Sequence, residues 1–177
     1  MHSLTYLLKY WSDTPMGDAN EMGEWVDVYS NDALPEQLSE LIRIALKDEA
    51  KAFKSKHYQV DMNDWHTPLF REGVCEVCLA GAVMAYELGI KPNLHATPGT
   101  FKDEGLQRKL SALDEIRQGN IDYSVAIMRN VAISDASDLL VMLGVPTSME
   151  VCEHSYYRLQ WRKDMFKIIR MLERAGL

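Results

Sequence analysis

Two cysteines three residues apart, Cys75 and Cys78, have the types and spacing best suited to chemistry in this chain. Their thiolates would bind zinc together with His66, since four-coordinate zinc sites combine thiolate and imidazole ligands. A redox-active thiol at Cys75 is a second hypothesis, because a helix N-terminus would lower its pKa. One Cys-x-x-Cys pair without a second pair is weak evidence for a metal, and no strand-helix-strand pattern surrounds it.

The apolar surroundings of the pair favour a third interpretation, in which both thiols only fill space. Residues 74 to 85 read VCEVCLAGAVMA, a nearly charge-free run of small side chains. The run predicts a buried helix over residues 74 to 88, on which Cys75 and Cys78 share a face and a neighbouring helix packs closely. We therefore expect no bound cofactor, with zinc at Cys75, Cys78 and His66 as the alternative.

A cysteine nucleophile is a further hypothesis, with Cys75 or Cys152 paired with one of several histidines. No family-specific motif surrounds either cysteine. The chain also contains no glycine-rich phosphate loop and no H-E-x-x-H motif. The sequence thus indicates no catalytic residue and favours a protein that is not an enzyme.

Aromatic and charged side chains gather just before the apolar run. Trp and Tyr near Arg and His supply the stacking and hydrogen-bonding anchors that interfaces use. The competing interpretation is that these side chains cover the buried helix. The candidate binding residues predicted here are Tyr58, Trp65, His66, Phe70 and Arg71.

Composition and charge restrict the class of protein. A chain of 177 residues with 47% hydrophobic residues is long enough for one domain with its own core. Its net charge of −7 makes nucleic acid an unfavourable general partner. Residues 1 to 50 carry ten acids and three bases, whereas residues 155 to 177 carry six bases and two acids. These two ends should attract each other, within one chain or between chains of a homo-oligomer.

Compartment is predicted from what the sequence lacks. The first residues have neither the basic leader nor the cleavage site of a signal peptide, and no segment reaches the roughly 18 to 20 apolar residues of a membrane span. Three cysteines, an odd number, suit a reducing compartment. We expect a cytoplasmic protein with no membrane partner.

Hydrophobic spacing predicts helices along most of the chain. Pro35 suits the first turn of a helix over residues 35 to 56, and Thr100 with Asp103 suits the start of another. Thr147 with Glu150 forms a capping box for a long final helix. The inward faces predicted for the three helices are Leu38, Leu41, Ile42, Ala45, Leu46 and Phe53; Leu106, Leu110, Leu113 and Ile116; and Cys152, Tyr156, Leu159, Phe166, Ile169 and Leu172.

The remaining segments are shorter. Ser134 is predicted to cap a helix that runs to Leu143 and ends at Gly144, whereas residues 120 to 129 fit a helix or a strand. Residues 25 to 29 fit a short strand. The final helix would expose a basic face with Tyr157 and Trp161, which could meet an acidic partner or nucleic acid.

Together these patterns predict a mostly all-α, single-domain helical bundle over residues 1 to 177. An irregular segment, residues 1 to 34, would pack on the bundle, and one short strand or hairpin would accompany the helices. The long C-terminal helix would be its most regular element. This architecture positions the candidate binding residues in the connection between the first two predicted helices.

Residues 73 to 85, with Trp65 upstream, resemble a segment of small uncharacterised bacteriophage and prophage proteins. The resemblance implies a phage accessory protein in the cytoplasm of an infected host cell. The function we expect is non-enzymatic binding of a host or defence-system protein, or of a small regulatory molecule, as in host takeover or anti-defence. The alternatives are a zinc-binding or cysteine-dependent protein at Cys75, Cys78 and His66, and nucleic-acid binding through the basic C-terminal helix.

Overall fold

A computed structural model describes residues 34–61, 66–69, 74–89, 101, 103–150 and 158–177. Within these ranges the chain is mostly helical, which confirms the predicted all-α character and the long C-terminal helix. A small sheet accompanies the helices. The helices are α1 (Leu38–Lys54), α2 (Leu79–Tyr86), α3 (Glu104–Arg117), α4 (Ile121–Arg129), α5 (Ile133–Leu143) and α6 (Arg158–Ala175), and the strands are β1 (Tyr58–Val60), β2 (His66–Leu69) and β3 (Val74–Val77).

The first helix forms largely as its periodicity predicts. The apolar residues from Leu38 to Leu46 that recur at helical spacing are all buried. Pro35 lies before the N-cap residue Gln37, so it precedes the helix and is not part of its first turn. Phe53 was predicted to point inward but is 51% exposed, because its ring lies against the guanidinium of Arg158 at the surface and Ala52 occupies the buried position beside it.

The sheet corrects the predicted helix over residues 74 to 88. Strand β3 lies in the middle, parallel to β1 and antiparallel to β2. The backbone groups of β3 therefore form hydrogen bonds to a strand on each side. A short apolar run is compatible with such a central strand as well as with a buried helix. Helix α2 starts only at Leu79, with Cys78 as its N-cap. Cys75 therefore lies in a strand, and the two cysteines do not share a helical face.

Helices α3, α4 and α5 follow with two changes to the predicted caps. Asp103 is the N-cap of α3, since its Oδ1 accepts a hydrogen bond of 2.7 Å from the backbone N of Leu106, and Thr100 lies outside the described residues. The predicted inward face of α3 is buried throughout. Helix α5 begins after Ala132, so Ser134 lies inside the helix and is not its cap. Gly144, at φ +68°, ends α5 as predicted.

The segment before the last helix contradicts the predicted capping box. Residues 147 to 150 are not helical. The backbone N of Asp122 donates to the carbonyl of Thr147 at 3.0 Å, and the N of Met149 donates to Gly119 at 3.0 Å. These bonds hold the segment against the turn between α3 and α4, where its backbone groups are satisfied without a helix.

The buried face of α6 is rotated from the predicted one. Trp161 is 4% exposed and packs in the core, whereas Leu159 is 70% exposed. Ile169 and Leu172 are buried as predicted. Residues 161, 165, 168, 169 and 172 recur at the spacing of one helical stripe, and this stripe, with its larger aromatic residue, is the one that faces the core.

One hydrophobic cluster contains residues from each of the six helices in the described ranges. A smaller cluster of Ala52, Tyr58, Val77 and Ala82 joins the sheet to α1 and α2. Lys109 of α3 is fully buried, and its Nζ donates to the carbonyl of Leu34 at 2.7 Å and to Glu36 at 2.6 Å. The chain segment that precedes α1 is thereby fixed to α3.

Several predictions fall outside the described residues. These are the strand at residues 25 to 29, the segment from residue 1 to 33, and the inward positions Cys152 and Tyr156 together with Tyr157. In the ranges that are described, none of the helices combines the length and the apolar character needed to cross a membrane.

Candidate functional site

The candidate binding residues before the apolar run are distributed over two strands and undescribed segments. Tyr58 lies in β1 and is 7% exposed, with its ring centroid 5.5 Å from that of Tyr86. Its side chain is therefore part of the smaller core cluster and not of an exposed loop. His66 begins β2, where its backbone lies opposite Val77. Trp65, Phe70 and Arg71 lie outside the described residues.

Cys78 is held as a buried thiol. Its Sγ accepts a hydrogen bond of 3.4 Å from the backbone N of Gly81. Burial raises its pKa to about 11, so the thiol is protonated at neutral pH and is a poor nucleophile or metal ligand. In the described part of the chain, no three His, Cys, Asp or Glu residues are placed so that they could bind a metal together.

We predict that Cys78 does not react with thiol reagents in the folded protein at pH 7.5. The variant Cys75→Ser with Cys152→Ser leaves Cys78 as the only cysteine. Labelling with a thiol-specific chromogenic reagent should be slow in buffer and rapid in denaturant, because only unfolding exposes Sγ. Rapid stoichiometric labelling in buffer would support the thiol-centred hypothesis instead.

The predicted attraction between the acidic and basic ends of the chain is confirmed at Glu49. Its carboxylate on α1 is 0% exposed. Arg158 on α6 donates to it through Nε at 2.6 Å and Nη2 at 2.9 Å, and Arg162 donates through Nη1. Arg162 also donates to the carbonyl of Leu46 at 3.0 Å. The two arginines satisfy a buried carboxylate and fix α6 on α1.

Arg43 forms a second link between the same helices, an ion pair with Glu173. Because residue 43 meets residue 173 and residue 49 meets residues 158 and 162, the two helices are antiparallel. Their outer surfaces therefore lie side by side along their length.

A second buried acid, Asp48, lies on the other side of α1. Its Oδ1 accepts a hydrogen bond of 2.5 Å from Lys51, and its Oδ2 has no hydrogen-bond partner among the described residues. Lys51 Nζ is also 3.9 Å from Glu87, at the end of α2. Burial and the neighbouring Glu87 carboxylate raise the pKa of Asp48 to about 6, against the opposing effect of Lys51.

The outer surfaces of α1 and α6 carry a basic face, which the exposed acids Glu40 and Glu173 interrupt. On α6 the cations recur at i, i+4, i+7 and i+11, which places them on one side of the helix over about 16 Å. On α1 the spacing is i, i+4 and i+11, which also selects one side. The members of this basic face, all exposed, are Arg43, Lys47, Lys54, Lys163, Lys167, Arg170 and Arg174.

Most of these cations have no ion-pair partner within the part of the chain that the structure describes. Arg43 pairs with Glu173, and Lys167 donates to Asp164 at 2.9 Å. The other five form no ion pair with another described residue. In a chain of net charge −7 this is a local excess of positive charge.

Two apolar side chains lie at one end of the basic face. Leu159 is 70% exposed and Phe53 is 51% exposed. The guanidinium carbon of Arg158 lies 3.8 Å from the centroid of the Phe53 ring, which brings the end of α1 and the start of α6 together. The face thus combines an exposed apolar pair with a row of cations.

A separate cavity of about 90 Å³ lies where the start of α1 meets the ends of α4 and α6. Its lining includes Gln37, Val125 and Leu177. Pockets for drug-sized molecules are several times larger. The cavity is thus too small for a cofactor-sized ligand.

The charge of the basic face and its approximate length are predictable from residues 155 to 177, but its composition is not. The six bases of that range include Arg158 and Arg162, but Glu49 engages both, so neither belongs to the face. The contribution from α1 was missed, although Arg43, Lys47 and Lys54 follow helical spacing within an otherwise acidic segment. That spacing would have predicted a row of cations on one side of the first helix. Comparison with protein-family models, with curated proteins and with solved structures found no match to this chain.

Proposed function

We propose that the protein is a non-enzymatic binding protein that docks an acidic partner protein on the basic face of α1 and α6. The observation that supports this proposal is the alignment of seven exposed cations on two neighbouring helices, beside an exposed apolar pair. Complementary charge accelerates and selects an encounter, and buried apolar contacts supply most of the affinity. Both elements of a docking surface are present.

An acidic protein fits this face better than nucleic acid does. A helix that carries carboxylates at three- and four-residue spacing would match the cations of α6 along its length. Phe53 and Leu159 would contact the apolar side of such a helix, whereas a phosphate backbone has no equivalent group. The overall charge of −7 repels any acidic partner at long range, but it repels duplex DNA most, because DNA carries one negative charge per about 1.7 Å of helix axis.

The partner we propose is a host or defence-system protein in a bacterium. The resemblance of residues 73 to 85 to phage and prophage proteins supports this context. The partner itself is defined only by its chemistry: an acidic surface, helical where it meets α6, with an apolar patch at one end.

The proposal predicts charge-selective binding of model ligands. A fluorescent 18-residue amphipathic helix with glutamates on one face and leucines beside them should bind the protein. The double variant Arg170→Glu with Arg174→Glu should weaken this binding at least tenfold, since it reverses two cations of the face. Fluorescence anisotropy at about 150 mM salt measures both affinities.

The matched control is Lys56→Glu with Arg129→Glu. It changes the net charge equally at two exposed cations outside the face and should leave the affinity within twofold. Equal weakening by both double variants would show a response to net charge alone and would contradict the proposal. Tighter, strongly salt-dependent binding of a 20-base-pair DNA duplex would favour the nucleic-acid alternative.

A further inference from the structure

Helix α5 is apolar in sequence and yet poorly buried. Seven of its eleven residues are apolar, but within it only Ala136 and Leu140 are buried. Val141 is 69% exposed and Met142 is 75% exposed. Its principal packing partner is α4, to which Ser137 also bonds through Asp122 at 2.9 Å. A stable helix with this much exposed apolar surface is typical of an interaction site.

The same surface is acidic. Asp135 and Asp138 are exposed, and they share one side of α5 with Met142 at three- and four-residue spacing, with Val141 beside them. The helix contains no Lys or Arg, and its C-terminal end adds partial negative charge close to Val141 and Met142. An apolar patch enclosed by negative charge favours a cationic partner.

We propose that the outer face of α5 binds a basic amphipathic helix of a partner protein, with its apolar side on Val141 and Met142. Lysines or arginines flanking that side would pair with Asp135 and Asp138. This surface is separate from the basic face of α1 and α6 and prefers a partner of opposite charge. The proposal therefore does not depend on the proposed function.

Symmetric pairing of two copies through α5 is disfavoured by the same charges. An antiparallel pair of α5 helices would bring Asp138 close to its own counterpart and place Asp135 beside the partner's apolar residues. A parallel pair would place both aspartates opposite themselves. Like charges in such positions are destabilising, so a symmetric contact lacks the complementarity that a basic helix offers.

The probe for this proposal is a fluorescent 18-residue helix with leucines on one face and lysines at its flanks. We expect it to bind the protein at about 150 mM salt. Two variants should each weaken binding at least tenfold: Val141→Ser with Met142→Ser, and Asp135→Asn with Asp138→Asn. All four side chains are exposed, so both variants should retain the circular dichroism spectrum of the parent and melt within about 4 °C of it.

The matched control is Tyr123→Ser, which removes an exposed aromatic side chain from α4. It should leave the affinity within twofold, and a probe with glutamate in place of lysine should bind at least tenfold more weakly than the lysine probe. Equal binding to the parent and both α5 variants would overturn the proposal. So would a concentration-dependent oligomer, seen by analytical ultracentrifugation, that the Val141→Ser, Met142→Ser variant abolishes, because the face would then join copies of this chain.

Discussion

Replacement of Glu49 by Gln is expected to lower the free energy of unfolding by about 3–5 kcal/mol. The carboxylate is completely buried and is the shared acceptor of Arg158 and Arg162, whose side chains are 13% and 17% exposed. Glutamine retains the size of Glu49 but leaves two largely buried guanidinium groups without a counter-charge. Urea unfolding followed by circular dichroism measures the loss.

Two further variants separate this network from a general effect of charge. Glu40→Gln removes an exposed carboxylate from the first turn of the same helix and should cost less than about 1 kcal/mol. Replacing Glu49, Arg158 and Arg162 together by methionine should cost less than Glu49→Gln alone, because no buried charge is then left unpaired. A Glu49→Gln variant as stable as Glu40→Gln would contradict the role assigned to the network.

Replacement of Asp48 by Asn is expected to increase stability at pH 8, by up to about 3 kcal/mol, which is the equivalent of a two-unit pKa difference. Burial raises the pKa of this carboxyl from 3.8 to about 6. Above pH 6 the folded protein therefore contains a buried charge that is only partly compensated by Lys51. Asparagine resembles the protonated form and removes that cost.

The raised pKa of Asp48 sets the pH range in which this carboxyl changes the stability of the protein. Between pH 4 and 6 the unfolded chain loses the proton of Asp48 before the folded chain does, so the contribution of this group to stability falls as pH rises. Below pH 4 both states are protonated and the variant should gain little. Burial also raises the pKa of Asp114. The unfolding free energies of the parent and of Asp48→Asn should therefore both keep a small decrease with rising pH.

Comparison of unfolding free energies at pH 4, 6 and 8 tests this prediction. Asp164→Asn is the control, since hydrogen bonds from Lys167 and Gln160 lower the pKa of that exposed carboxyl. It should not become more stable at pH 8. A difference between Asp48→Asn and the parent that is the same at pH 4 and pH 8 would show that Asp48 titrates normally in the folded protein.

The helices were predictable where one apolar stripe dominates the sequence. In α1 and α3 the buried residues recur at helical spacing among charged ones, so their type and inner face follow from periodicity. Strand β3 was not predictable in this way, because a four-residue apolar run fits a buried strand and a helical turn equally well. Pairing with β1 and β2, distant in the chain, decides between them.

Two apolar stripes compete on the final helix, and spacing alone does not choose between them. Leu159 and Phe166 belong to one and Trp161 and Met165 to the other. Trp161 and Met165 are buried in the core. Phe166 lies at the edge of the core, with its ring centroid 5.9 Å from the guanidinium carbon of Arg162. Arg162 meets its partners on α1 only because the two helices pack antiparallel. That contact depends on the tertiary structure and cannot be predicted from the spacing of residues in α6.

The candidate surfaces were predictable only in outline. The opposite charges of the two chain ends indicated attraction, but charge counts cannot show that Glu49 engages two of the C-terminal arginines and leaves the others exposed. For helix α5 the sequence predicts burial, whereas the structure shows exposure. Its composition predicts a core helix, and its exposure becomes visible only once α4 is known to be its main support.

We propose above that the basic face of α1 and α6 binds an acidic protein. It is tested most directly by affinity capture from bacterial lysate with three proteins: the parent, the Arg170→Glu, Arg174→Glu variant, and the Lys56→Glu, Arg129→Glu control. We expect one protein with an acidic surface that the parent and the control capture in equal amounts and the α6 variant does not. Capture of the same proteins in equal amounts by all three would contradict it.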